Sequence, residues 1–206
     1  SRKMASFIGL PADYIHKLKN RVPPNLFFTR LLMDENKRIG RFDSRITGLR
    51  YHPGTDRYEY DPSFETVTGP YSATFNDYVR RELKFKSELP YETLANVMPW
   101  KFNRAKNRYL NVAEDLRQAM NRNPYLKVMV CSGFYDLATP YFGSDYTINQ
   151  MFLDPSIRDN VRVAYYHAGH MMYSSKPELL KMKSDFERFL KDSILPDSAL
   201  VPSAER

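Results

Sequence analysis

Asp136 and His170 are the two side chains of this sequence best placed to do chemistry together. Asp136 ends the segment Gly133-Phe134-Tyr135-Asp136, directly after the run KVMVCS at 127–132. His170 ends His167-Ala168-Gly169-His170, directly after VRVAYY at 161–166. Both runs have the length and apolar character of buried strands, and a glycine interrupts each soon after. A carboxylate beside a histidine can hold the imidazole in one tautomer and stabilise its protonated form. Such a histidine can then take the proton of a hydroxyl nucleophile. A helix-capping aspartate and a hydrogen-bonded loop histidine have the same local sequence, so these two residues alone leave a purely structural role open.

The surrounding elements decide whether the two can meet. Tyr109, Val112, Ala113, Leu116 and Met120 form an amphipathic stripe that Asn123-Pro124 ends. The first strand follows, then a helix over Tyr141 to Leu153, then the second strand. Ser175-Lys176-Pro177-Glu178 reads as a capping box that opens a last helix, with Leu179, Met182, Phe186, Phe189 and Leu190 on one stripe. Two buried strands joined by a helix predict a parallel pair with a right-handed crossover. Functional groups in such sheets gather beyond the C-terminal strand ends. Asp136 and His170 are therefore expected on adjacent loops at one sheet edge. α/β-Hydrolases carry serine, acid and histidine in that chain order, the last two after successive late strands. The 34-residue interval here holds a loop, a helix and a strand.

The first hundred residues read as helices joined by irregular segments. Pro11 starts one, with Tyr14, Ile15 and Leu18 at helical spacing, and Leu26 to Lys37 predicts another. Gly40 to Gly69 reads as a long ordered excursion with a short hairpin. Ser72 to Lys86 predicts a helix with Phe75, Tyr78, Val79 and Leu83 on one face.

An apolar share of 42% is enough to bury a core. The whole net charge of +7 lies in residues 1–50, which hold 11 Lys/Arg against 4 Asp/Glu; the remainder balances at 20 against 20. These charges alternate with apolar helical positions and accompany no nucleic-acid motif, so they read as a solvated helical face. One cysteine, Cys131, cannot form an internal disulfide, and its place in an apolar strand reads as core. No apolar run approaches the roughly 20 residues of a membrane span. No signal-peptide pattern is read. His167 and His170 are too few for a zinc site, which needs about three protein ligands.

The segment Cys131-Ser132-Gly133-Phe134-Tyr135-Asp136-Leu137-Ala138-Thr139-Pro140 resembles the catalytic-aspartate region of the serine carboxypeptidases, and so does Ser144-Asp145-Tyr146-Thr147-Ile148 downstream of it. Ala168-Gly169-His170-Met171, ahead of a Pro177-containing helix start, looks like that family's catalytic-histidine segment. The bacterial branch is closer still, through these segments and through Gly40-Arg41-Phe42-Asp43-Ser44-Arg45 and Phe75-Asn76-Asp77-Tyr78-Val79. Two departures stand out. Phe134 occupies a position that is usually acidic in the eukaryotic members, and the chain has no Gly-x-Ser-x-Gly.

This resemblance implies an α/β fold: residues 106–206 as the C-terminal units of an α/β-hydrolase, preceded by a mainly helical cap or insertion over 1–105. It implies a serine carboxypeptidase that releases C-terminal residues from peptides through an acyl-enzyme. Asp136 and His170 would be catalytic and Met171 would contact substrate, with no metal and no organic cofactor. The nucleophilic serine and oxyanion hole would belong to an N-terminal portion of the same protein, so this chain alone is expected to be inactive. Its sheet is expected to show an unpaired edge, covered by that portion or by self-association. Partners are a peptide substrate and that N-terminal portion, not nucleic acid or membrane, and the family implies export to the periplasm or the exterior. Another α/β-hydrolase activity, esterase or aminopeptidase, remains an alternative, because fold and triad do not fix the substrate. A non-catalytic module binding an acidic partner through residues 1–50 is the other. Arg41, Asp43 and Arg45 read as an internal ion network or as a clamp for a peptide carboxylate.

Overall fold

The computed structural model describes residues 1–57 and 59–194. The architecture is mixed α/β, with helices and two two-stranded sheets, one antiparallel and one parallel. The chain divides into two compact units, Ser1–Lys106 and Asn107–Arg206. Residues 195–206 of the expected C-terminal region lie outside the described residues. No helix among the described residues is long and apolar enough to cross a membrane.

In the first unit, helices α1 (Arg2–Ile8), α2 (Ala12–Lys17) and α3 (Pro24–Arg30) precede a hairpin of β1 (Lys37–Ile39) and β2 (Thr47–Leu49). Leu10, Ile15, Phe28 and Ile39 are buried here. The helix expected over Leu26 to Lys37 stops at Arg30. A 3-10 turn at Met33–Glu35 and a left-handed Asn36 (φ 54) break it and release Lys37 into β1. Helix α4 runs Pro62–Arg81, beginning ten residues before the expected Ser72 and ending before Lys86. Asp61 explains the early start, because its carboxylate accepts from the Ser63 and Phe64 amides and Pro62 has no amide to satisfy. Lys84, at φ 55, lies beyond the helical end. The expected inward face of this helix is largely exposed at Phe75 and Tyr78, although Phe75 packs on Tyr91 with ring centroids 4.3 Å apart. Asp43 and Arg45 form an ion pair at 2.7 Å, whereas the Arg41 guanidinium lies over the Phe42 ring instead of completing a triad.

In the second unit, α5 (Ala113–Arg122), β3 (Val128–Gly133), α6 (Tyr141–Asn149), α7 (Pro155–Arg158), β4 (Val161–Tyr166) and α8 (Lys176–Ser193) follow in order. Strands β3 and β4 are parallel, with Val128 opposite Val161 and Gly133 opposite Tyr166. Alternation along the strands feeds two apolar clusters. Val128 and Val161 join Met120, Met151 and Ile157, while Cys131 and Ala164 join Tyr166, Ala168, Met172 and Met182. Met120 is fully buried, a burial of the kind that contributes about 1.5–3 kcal/mol. Helix α6 ends four residues before the expected Leu153, and a left-handed Phe152 (φ 49) turns the chain toward α7.

Two expectations for α8 fail. Its periodic stripe is not a buried one, since Leu179, Phe186 and Leu190 are 44%, 51% and 44% exposed. The capping box does not form either. Ser175 makes no side-chain cap bond, and Glu178 Oε2 instead accepts the His167 amide at 3.0 Å. Among the described residues, β3 and β4 pair only with each other, which leaves one edge of each strand open.

Candidate active site

The two loops that leave β3 and β4 are knitted together before any side chain takes part. The Phe134 amide donates to Tyr166 O at 3.0 Å and the Tyr135 amide to Ala168 O at 3.1 Å, so the ladder continues past both strand ends. Gly133 permits this approach. A Cβ there would sit 2.3 Å from Gly169 O and 2.5 Å from Ala168 O. On the far side, the Glu178 carboxylate holds the His167 amide and ties the second loop to the first turn of α8.

This framework brings Asp136 and His170 into contact. His170 Nδ1 lies 2.8 Å from Asp136 Oδ2. The aspartate side chain is 4% exposed and the histidine side chain 40%, so the acid is enclosed while the imidazole reaches solvent. Asp136 Oδ1 accepts from the Ala138 amide at 2.7 Å and the Thr139 amide at 2.9 Å, and Oδ2 also accepts from the Thr139 hydroxyl at 2.6 Å. A carboxylate offers about four lone-pair directions, and these donors fill them. Burial pushes the Asp136 carboxyl up; the bonds from Thr139, His170 and Ala138 outweigh it and hold the group below the ordinary carboxylate value. Asp136 is thus an ionised acceptor, His170 carries its neutral-state proton on Nδ1, and the lone pair lies on Nε2. An imidazole so oriented can act as a general base and then as a general acid.

An aromatic cluster stands at the same sheet edge. Phe134 stacks on Tyr165 at 5.5 Å, meets Tyr141 edge-on at 5.3 Å and lies 5.1 Å from the His167 ring. Tyr165 is fixed by its hydroxyl, which donates to Asp145 Oδ1 at 2.8 Å; that bond and burial raise its phenol. His167 therefore belongs to this ring cluster. Met171 is half-buried and directly follows His170, whereas Met172 is buried in the cluster with Tyr166 and Ala168. Cys131 is half-buried, its Sγ 3.8 Å from the Tyr166 hydroxyl. Among the described residues, no three His, Cys, Asp or Glu side chains gather as a metal ion would require.

Thr139 and Gly133 are the site residues that pattern reading passes over. The spacing Asp136-x-x-Thr139 before Pro140 carries the signal for Thr139, because an aspartate that opens a turn draws donors from two and three residues on. The signal for Gly133 is its place at a strand end where two loops must close.

No family model, curated protein or solved structure matches the chain.

Proposed function

We propose that this chain is the C-terminal part of a serine-carboxypeptidase-like α/β-hydrolase, supplying the acid Asp136 and the base His170 to a serine carried elsewhere in the same protein. The observation that supports this most is the 2.8 Å bond between Asp136 Oδ2 and His170 Nδ1 at the C-terminal ends of two adjacent parallel strands. Acid before base, on loops after successive strands, is the order of that fold's triad.

On this reading His170 Nε2 takes the serine proton as the serine oxygen attacks the carbonyl of the last peptide bond. The same proton then passes to the departing amine, and the C-terminal residue leaves. Water, deprotonated by His170 in turn, hydrolyses the acyl-enzyme and regenerates the serine. Asp136 stabilises the imidazolium formed in both halves. Met171, half-buried beside His170, would contact the residue that leaves. Residues 1–106, with four of the eight helices named above, would supply the cap over the site. The chain has no Gly-x-Ser-x-Gly and should be inactive by itself. The open edges of β3 and β4 would be covered by earlier strands or by self-association.

Fluorophosphonate labelling of the complete gene product, beside its His170→Ala version, tests the proposal. The expected result is a labelled serine in the native protein and none in the variant. Equal labelling of the two, or labelling of neither, would overturn it.

A further inference from the structure

We infer that Thr139 is a positioning residue, whose hydroxyl locks the Asp136 carboxylate in place and fixes which nitrogen of His170 carries the proton. Thr139 grips both carboxylate oxygens, with its amide on Oδ1 at 2.9 Å and its hydroxyl on Oδ2 at 2.6 Å. That hydroxyl oxygen also lies 3.2 Å from His170 Nδ1.

The proton assignment follows from counting donors. A threonine hydroxyl has one hydrogen, and an ionised carboxylate can only accept. The hydrogen of Thr139 is therefore committed to Asp136 Oδ2, and its oxygen presents lone pairs to the imidazole. His170 Nδ1 faces two acceptors, the carboxylate oxygen at 2.8 Å and the hydroxyl oxygen at 3.2 Å. A proton on Nδ1 satisfies both. A bare Nδ1 would set three lone pairs against one another. The base lone pair is thereby confined to Nε2, where a nucleophile would need it. Held by Thr139 at both oxygens, the carboxylate cannot swing about its own bond and lose the ring.

The inference rests on reading Asp136 and His170 as acid and base, yet its test needs neither serine nor substrate. The probe is the full chain labelled with nitrogen-15 and carbon-13, with NMR of the His170 ring nitrogens and the Asp136 side-chain carboxyl across pH. Native protein and Thr139→Ser should show one neutral tautomer, with the proton on Nδ1. Thr139→Val and Thr139→Ala should show a mixture, and their Asp136 midpoint should rise by about one pH unit for the lost donor. Thr139 is exposed, so both substitutions have room, and the alanine serves if the valine does not fold. Native tautomer and midpoint in the folded Val or Ala variant would overturn the inference. So would a serine variant that behaves like alanine. If the NMR pattern holds while fluorophosphonate labelling fails, only the hydrolase reading falls.

Discussion

Gly133 and Gly169 meet backbone to backbone: a methyl group on the first would lie 2.3 Å from the carbonyl oxygen of the second. Neither neighbour is a flexible side chain that could move aside. Gly133→Ala should force the two loops apart, weaken the amide bonds of Phe134 and Tyr135, and cost about 1–3 kcal/mol. Urea unfolding of the purified chain measures the cost, and the His170 Nδ1–H resonance reports whether the Asp136 contact survives. Unchanged stability with the resonance intact would contradict the tight approach.

Asp136 sets an acid limit. Its folded value lies below the ordinary 3.8, so its stabilising contribution is complete above about pH 4 and is lost as pH falls through the lower folded value. Asp136→Asn keeps the shape but cannot titrate. The native-minus-variant stability difference should be flat from pH 7 to about pH 4 and shrink below that. A difference that already shrinks near neutrality would place the Asp136 value above the ordinary range.

Glu178 lies in the first turn of α8, where a negative charge is favourable, and it holds the His167 amide. Glu178→Gln keeps an acceptor but removes the charge, and Glu178→Ala removes both. We expect losses of about 0.3–1 kcal/mol for the first and more for the second. Amide hydrogen exchange at His167 should quicken in the alanine variant, and protection equal to native would show that the bond does not hold the loop.

Asp61 caps α4 and also accepts the Arg41 amide at 3.2 Å, which joins the helix start to the segment after β1. Asp61→Ala should cost about 1–2 kcal/mol, while Asp61→Asn, an equally good cap, should cost much less. Thermal unfolding of the two variants side by side is the check.

The strands and the loops between them are legible in the sequence because KVMVCS and VRVAYY are apolar, short and bounded by glycine, a pattern that few other elements share. Helical periodicity is a weaker guide to burial. Leu179, Phe186 and Leu190 keep the spacing of an inward face, yet all three remain open to solvent. The pattern reports what a helix offers to a partner, not whether one is in place. Boundaries fail for local reasons. Asn36 and Phe152 adopt left-handed backbone within stretches that otherwise look helical, and Asp61 recruits residues into α4 that glycine and proline content assigns to an irregular excursion. The capping box fails through competition, because the Glu178 carboxylate is taken by an amide remote in sequence. Thr139 stays hidden because a hydroxyl three residues after an acid says nothing of the histidine that it will face.

The rungs between β3 and β4 run on into the loops after both strands, and this frees the rest of the crossover from any role in aligning acid and base. Segment 150–160 hangs between anchored points. Lengthening or trimming it there leaves the separation of Asp136 and His170 to the register of Gly133 against Tyr166. Such a fold can drift in the size and sequence of that excursion over evolutionary time while the pair it frames stays at hydrogen-bonding distance.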